Sequence, residues 1–315
     1  MRLIIYKINI LIFSLIFLIS IFSIFKVPVS DLKGYLYYFN TLEGISFDEL
    51  LTNTYLSIKD HEYIFKFYTW AVKNIFYQNW IYVFLSVFII YHSIIKLSLK
   101  YMLSIFNQPI SRSHIFIILS WCILVAITFS TSAHLVRQYL AIAVFSYALV
   151  ALINKSYLLC LFLMACSIMT HYMMLIIVLV FTISLIFKPL FSKSKPLLFL
   201  VIILVASIFS IIFENINIIK TLLESLNYSG GGSGVSPLLM ILDLSIFSLF
   251  LYFYRRSESK KVLILLFSVV LYVGFLITIH NYNYIFLRFY FIFDIIRAIL
   301  GTLIILKIIK ARDFI

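Results

Sequence analysis

The sequence predicts an all-helical, polytopic integral membrane protein, and three observations carry that prediction. Of 315 residues, 64% are hydrophobic and only 12% charged. A mean hydropathy of +1.12 leaves too little polar surface to cover a soluble globule. The basic residues, which give a formal charge of +13, sit in short clusters between apolar runs, as in cytoplasmic loops that orient a membrane protein. That charge is a topology signal, and no nucleic-acid partner is expected.

Runs of roughly 17 to 25 apolar residues mark membrane crossings. About ten are expected, at 4–25, 80–99, 114–130, 135–153, 157–170, 172–187, 197–213, 237–254, 262–279 and 285–306. The first carries Arg2 and Lys7 before its apolar core but lacks a small-residue cleavage site, so it reads as a retained helix. The stretch 157–187 is too long for one upright span and short for two; a tilted single helix or a shallow hairpin turning at Thr170 and His171 both fit.

An even helix count returns both termini to one side. With the N-terminus in the cytoplasm, 16 of the 25 Lys and Arg residues fall inside, against only Glu258 and Asp313 as acids there. Dropping one helix would send the later basic loops to the wrong face. The whole chain, 1–315, is expected to form one transmembrane domain.

Two outer segments are long, 26–79 and 214–236. The first places Ile64, Phe65, Tyr68, Ala71, Val72, Ile75 and Phe76 at helical spacing, as in amphipathic helices lying along the membrane interface. The second ends in a Ser-Gly-Gly-Gly-Ser-Gly run and is expected to be flexible. Cys122, Cys160 and Cys166 lie within apolar runs and lack metal-ligand spacing, so they read as small hydrophobes.

Polar residues near the membrane are costly unless paired, solvated or used, which makes them candidates for function. On this topology Asp31, Glu62, His134, Arg137, Gln138, His171, His280 and Arg288 all fall toward the outer face, whereas His92 and His114 fall toward the inner one and read as interface residues. Neither a Gly-rich phosphate loop nor a dinucleotide fingerprint is present. ATP and nucleotide sugars are cytoplasmic, so an outer-face reaction needs a donor that arrives activated, and a lipid-linked diphosphate is the natural form.

Arg137 and Arg288 suit such a donor, because guanidinium groups grip phosphate oxygens bidentately and stay charged. The competing role for each is snorkelling to lipid headgroups. His171 has the chemistry to take a proton from an attacking hydroxyl or to bond a substrate, and the competing role is a satisfied helix-end histidine. Asp31 and Glu62 are the candidate acids: as base, as orienter of a basic side chain, or as a partner for sugar hydroxyls, against the alternative of solvated loop charges. Nearby tyrosines offer faces for pyranose rings. Asp294 and Arg297, at i,i+3, suit a purely structural pair.

Four landmarks occur in order: Asp31 with Tyr35 and Tyr38, then Glu62-Tyr63, then Arg137-Gln138-x-Leu-Ala-x-Ala, then His171; Arg288 with Tyr290 forms a fifth. With these the chain resembles the EpsG-like branch of the Wzy-type O-antigen and exopolysaccharide repeat-unit polymerases of bacterial inner membranes. The resemblance implies an architecture similar to the GT-C glycosyltransferases and inverting glycosyl transfer at the periplasmic face, with no metal and no cofactor. Undecaprenyl-diphosphate-linked oligosaccharides would be donor and acceptor, the membrane lipids are further partners, and there is room for a chain-length regulator. His171, Asp31 and Glu62 would carry catalysis, Arg137, Arg288 and Gln138 would bind the diphosphate, and Tyr35, Tyr38, His134 and Tyr290 would hold substrate. The chain departs from the usual pattern at His134 or Ser132, where an asparagine or similar polar residue commonly precedes the arginine. An O-antigen ligase or other lipid-linked-sugar glycosyltransferase would use the same groups. A flippase or transporter predicts instead a polar path through both faces and often an internal repeat.

Overall fold

The computed structural model describes residues 2–28, 31–52, 62–106, 112–127, 135–186, 236–254, 259–279 and 283–312. The span expected at 197–213, the glycine-rich loop as far as 235, His134 and His280 lie outside the described residues. Among the described residues the structure is all-helical, and it divides into two compact units, Met1–Leu175 and Ile176–Ile315.

The first unit opens with α1 (Arg2–Ile24), followed by the short helices α2 (Asp31–Thr41), α3 (Phe47–Thr52) and α4 (Tyr63–Phe76) in the expected outer loop. α3 begins with a capping box: the Ser46 N–H donates to Glu49 at 2.9 Å, and the Glu49 N–H donates back to the Ser46 hydroxyl at 3.3 Å. The Ser46 N–H and hydroxyl hold the Glu49 carboxyl below its ordinary range. α5 (Asn79–Phe106) is 28 residues long, about 42 Å at the usual rise, and outruns its expected end by seven residues. It packs against α1 through Phe13 on Phe88 and Phe17 on Phe84, both edge to face. His92, expected at an interface, sits near the middle of α5 and bonds Tyr147 at 2.5 Å.

α6 (Arg112–Trp121) runs into a π-helical turn, Cys122–Ala126. α7 (Val136–Ile153) and α8 (Tyr157–Thr170) then form a tight hairpin. Ala141, Ala143, Ala148 and Ala151 are buried along α7, and small residues there let the backbones approach closely. The Ser167 hydroxyl bridges them by donating to the Ala141 carbonyl at 2.8 Å. The turn is a Schellman closure, with Ser156 N–H to Ala151 O at 2.9 Å and Lys155 N–H to Leu152 O at 3.0 Å. It forces Lys155 to φ 63°, where glycine is the unstrained residue.

α9 (Met174–Ile186) follows a break at His171, whose backbone is extended, at the place where the sequence suggests a turn. In the second unit, α10 (Pro237–Tyr254) matches its expected range, and α11 (Lys260–Thr278) lies within two residues of it. The last expected span, 285–306, is instead two helices, α12 (Asn283–Tyr290) and α13 (Phe293–Arg312). At the break the Phe289 carbonyl accepts from the Tyr272 hydroxyl on α11 as well as from the Ile292 N–H at 3.2 Å, a tighter turn than the helix ladder. Among the described residues, three helices, Asn79–Ile105, Val136–Ile153 and Pro237–Tyr254, have the length and apolarity to cross a membrane.

α4 differs from the amphipathic pattern read in its sequence. Its buried residues are Phe65, Lys66, Thr69, Val72 and Lys73, while Phe67, Ile75 and Phe76 are exposed. The polar stripe faces protein, and the outward apolar residues form the face that a lipid interface would cover.

Candidate active site

Three helix ends from distant parts of the first unit meet at one carboxylate. Glu62 occupies the N-cap position of α4 and is 0% exposed. Arg137, in the first turn of α7, donates from Nη1 to Glu62 Oε2 at 2.7 Å. His171, immediately after α8, places Nδ1 2.6 Å from Glu62 Oε1. Arg137 and His171 thus take different oxygens of the carboxylate. The α7–α8 hairpin makes this possible, because it sets the beginning of α7 opposite the end of α8.

The pairing fixes the chemistry of each group. A carboxylate only accepts hydrogen bonds, so Nδ1 of His171 is the donor and Nε2 is left as the basic nitrogen of the ring. Arg137 is held from below as well: its guanidinium carbon lies 5.8 Å from the centre of the Tyr35 ring on α2. Tyr35 in turn receives Phe65 of α4 edge-on at 5.6 Å. Asp31, in the first turn of α2, is within electrostatic reach of Arg137. Desolvation offsets much of the Coulomb gain of a buried ion pair, so fold stability alone is a weak reason for one here.

The structure therefore gathers Asp31, Tyr35, Glu62, Arg137 and His171 around one centre. Tyr38, one turn beyond Tyr35, is buried on the same helix. Gln138 is buried next to Arg137, and neither its amide nitrogen nor its oxygen has a hydrogen-bond partner among the described residues. A buried amide with no protein partner is uncommon and marks room for something else to bond it.

Arg288 and Tyr290 belong to the second unit. Arg288 is half-buried in the last turn of α12. The Tyr290 hydroxyl donates to Asp243, and its ring stacks on Phe293 with centroids 5.0 Å apart, so it is tied into its own unit. The same cluster contains Arg297, which donates to Asp243 from Nε at 2.6 Å and from Nη2 at 3.0 Å, and to Asp294 from Nη1 at 3.0 Å. Sequence spacing reveals the Asp294–Arg297 pair but not the stronger partner Asp243, 54 residues away. It also passes over Lys66, a buried lysine one turn after Glu62. The available signal was that i,i+4 spacing, which usually denotes a solvated helix face.

No curated protein and no solved structure matches this sequence. The model of one protein family does match, over residues 9–314, which take in every residue of the Glu62 centre and of the Asp243 cluster, and on that match the chain belongs to the EpsG family.

Proposed function

We propose that this membrane protein of polysaccharide biosynthesis is a polymerase that joins undecaprenyl-diphosphate-linked repeat units by inverting glycosyl transfer. The observation that carries the proposal is the buried carboxylate of Glu62 holding Arg137 at 2.7 Å and His171 at 2.6 Å. A phosphate-binding cation and a base with a fixed tautomer stand beside each other, which is what this reaction requires.

In the reaction, a hydroxyl of the acceptor repeat unit attacks the anomeric carbon of the donor glycan while its proton passes to Nε2 of His171. The new C–O bond forms as the bond from the anomeric carbon to phosphate breaks, and the electron pair leaves on the undecaprenyl diphosphate oxygen. Arg137 stabilises that developing charge, with the Gln138 amide as a further donor. Glu62 is then a positioning residue, since both its oxygens are occupied by the groups that act. Tyr35 supports the arginine, Tyr38 contributes to the sugar-binding wall, and Asp31 sets the local field. Arg288 and Tyr290 lie in the second unit, and the steps above use neither.

Around this site we propose ten spans with cytoplasmic termini, outer loops at 26–79 and 214–236, and a centre open to the periplasm of the bacterial inner membrane. A chain-length regulator is the expected protein partner. Replacement of Arg137 with Ala, at matched protein level, should abolish the polysaccharide ladder and leave single repeat units on the acceptor. An unchanged ladder overturns the proposal. Wild-type protein that moves finished chains to another lipid, without lengthening them, assigns the ligase reaction instead.

A further inference from the structure

Lys66 has no part in the steps above, yet its surroundings call for one. It lies one turn after Glu62 on α4, with its N–H bonded to the Glu62 carbonyl at 3.1 Å, and it is 1% exposed. Its Nζ has no hydrogen-bond partner among the described residues. The same helix supplies a comparison two turns on. Lys73 is also buried, but the Glu43 carboxylate meets its Nζ at 3.1 Å and the Phe39 ring lies 5.1 Å from it. A buried ammonium ordinarily acquires such partners, because removing a charge from water without compensation is strongly unfavourable.

Three further observations point to the missing partner being an anion in the Glu62 site. Glu62 is the N-cap residue of α4, and Lys66 closes the first turn behind it through the backbone bond to its carbonyl, so both buried side chains belong to the same helix end. Phe65, beside Lys66, rests on the Tyr35 ring that underlies the Arg137 guanidinium. Gln138, next to Arg137 in sequence, is a further buried polar side chain, and no described residue bonds its amide atoms. Formal charges agree. Asp31 and Glu62 outweigh Arg137 by one negative charge, which would repel a diphosphate, and Lys66 brings the sum to neutrality.

We propose that Lys66 is a phosphate-binding residue, its ammonium taking an oxygen of the same lipid-linked diphosphate that Arg137 and Gln138 engage. This rests on the polymerase reading for the identity of the lipid, while the chemistry required is only that of a phosphate oxyanion. A lysine suits the task because its ammonium is a compact charge that can follow the phosphate as the bond to sugar breaks.

The test uses the full chain in lipid nanodiscs, with undecaprenyl diphosphate, undecaprenyl monophosphate and inorganic diphosphate as separate probes. Lys66→Met should weaken binding of undecaprenyl diphosphate about tenfold or more, the usual value of a charge-assisted bond, and Lys66→Arg should recover part of it. Without ligand, Lys66→Met should melt at or above the wild-type temperature, because an uncompensated buried charge has been removed. Unchanged affinity in Lys66→Met overturns the proposal, as does a lower melting temperature that Lys66→Arg restores, which would make Lys66 a structural ion. Lys66-dependent binding of inorganic diphosphate without binding of the lipid overturns the lipid assignment. Loss of polymer in Arg137→Ala together with unchanged binding in Lys66→Met sinks this inference alone; Lys66-dependent lipid binding by a protein that makes no polymer sinks the polymerase reading alone.

Discussion

Each of the two units buries a cluster of charges, and the two clusters are finished differently. In the second unit, Arg297 spends Nε, Nη1 and Nη2 on Asp243 and Asp294, and Tyr290 donates to Asp243 as well. Each nitrogen of the guanidinium is engaged by its own chain. In the first unit, Glu62 is shared between Arg137 and His171, while the amide of Gln138 and the ammonium of Lys66 stay unanswered among the described residues. A closed network braces helices, and an open one reserves bonding capacity for a ligand. Burial and charge are common to both; only the tally of satisfied donors and acceptors separates a brace from a site.

The largest effect that would break this comparison is expected at Glu62. Glu62→Gln keeps the shape but removes the charge, so Arg137 loses its counter-ion and the His171 tautomer is no longer enforced. The analogous loss of an orienting carboxylate costs catalytic triads about 10⁴ in rate. Here a fall of at least about 10²-fold in polymerisation rate per folded protein is expected, measured on purified protein with undecaprenyl-linked repeat units, together with a lower melting temperature, because Arg137 is left buried without its counter-ion. A variant within twofold of wild type would show that the first cluster is also merely a brace.

The second cluster should respond in stability alone. Arg297→Met leaves two buried carboxylates without their cation and should cost about 3–5 kcal/mol, seen as loss of folded protein in detergent. Replacing the whole network, Asp243→Leu with Asp294→Leu and Arg297→Met, should restore much of that stability, since apolar substitutes for a complete buried ion network are often neutral or better. The folded triple variant should still polymerise. Should it fold well and fail to polymerise, the second cluster belongs to the reaction and the distinction drawn above is wrong.

How far the sequence disclosed these features follows from the range of the forces involved. Helices bounded by local turn chemistry were legible: 157–170 and 237–254 coincide with α8 and α10, because apolar runs and turn residues act over a few positions. The split between α12 and α13 was not, since no Gly or Pro marks it and the Tyr272 bond to the carbonyl there comes from another helix. Asp31, Tyr35, Glu62, Arg137 and His171 could each be singled out as polar groups near a membrane. Their gathering at one centre was expected from the resemblance, but not that Glu62 would hold both Arg137 and His171, because those contacts join residues 75 and 109 positions apart and no periodicity encodes such a distance. Lys66 was hidden by its residue type, for a lysine one turn after a glutamate looks solvated until the face it lies on is seen to be buried.

The smallest expected effect sharpens the comparison by separating stability from geometry within the first unit. Lys155 closes the α7–α8 hairpin at φ 63°. Lys155→Gly relieves that strain at the price of a more flexible unfolded chain, for a net gain of about 0.5–1 kcal/mol. The turn lies roughly 25 Å along the hairpin from Arg137 and His171, given the 18 residues of α7. Their register is set nearer by, through the Ser167 bond to Ala141 and the buried alanines. Lys155→Gly should therefore raise the melting temperature slightly and leave the polymerisation rate and its response to donor concentration unchanged. A rate that shifts with this substitution would mean that the hairpin transmits strain from its closed end to its open one. The Glu62 centre would then depend on the whole length of two helices rather than on the three side chains that meet there.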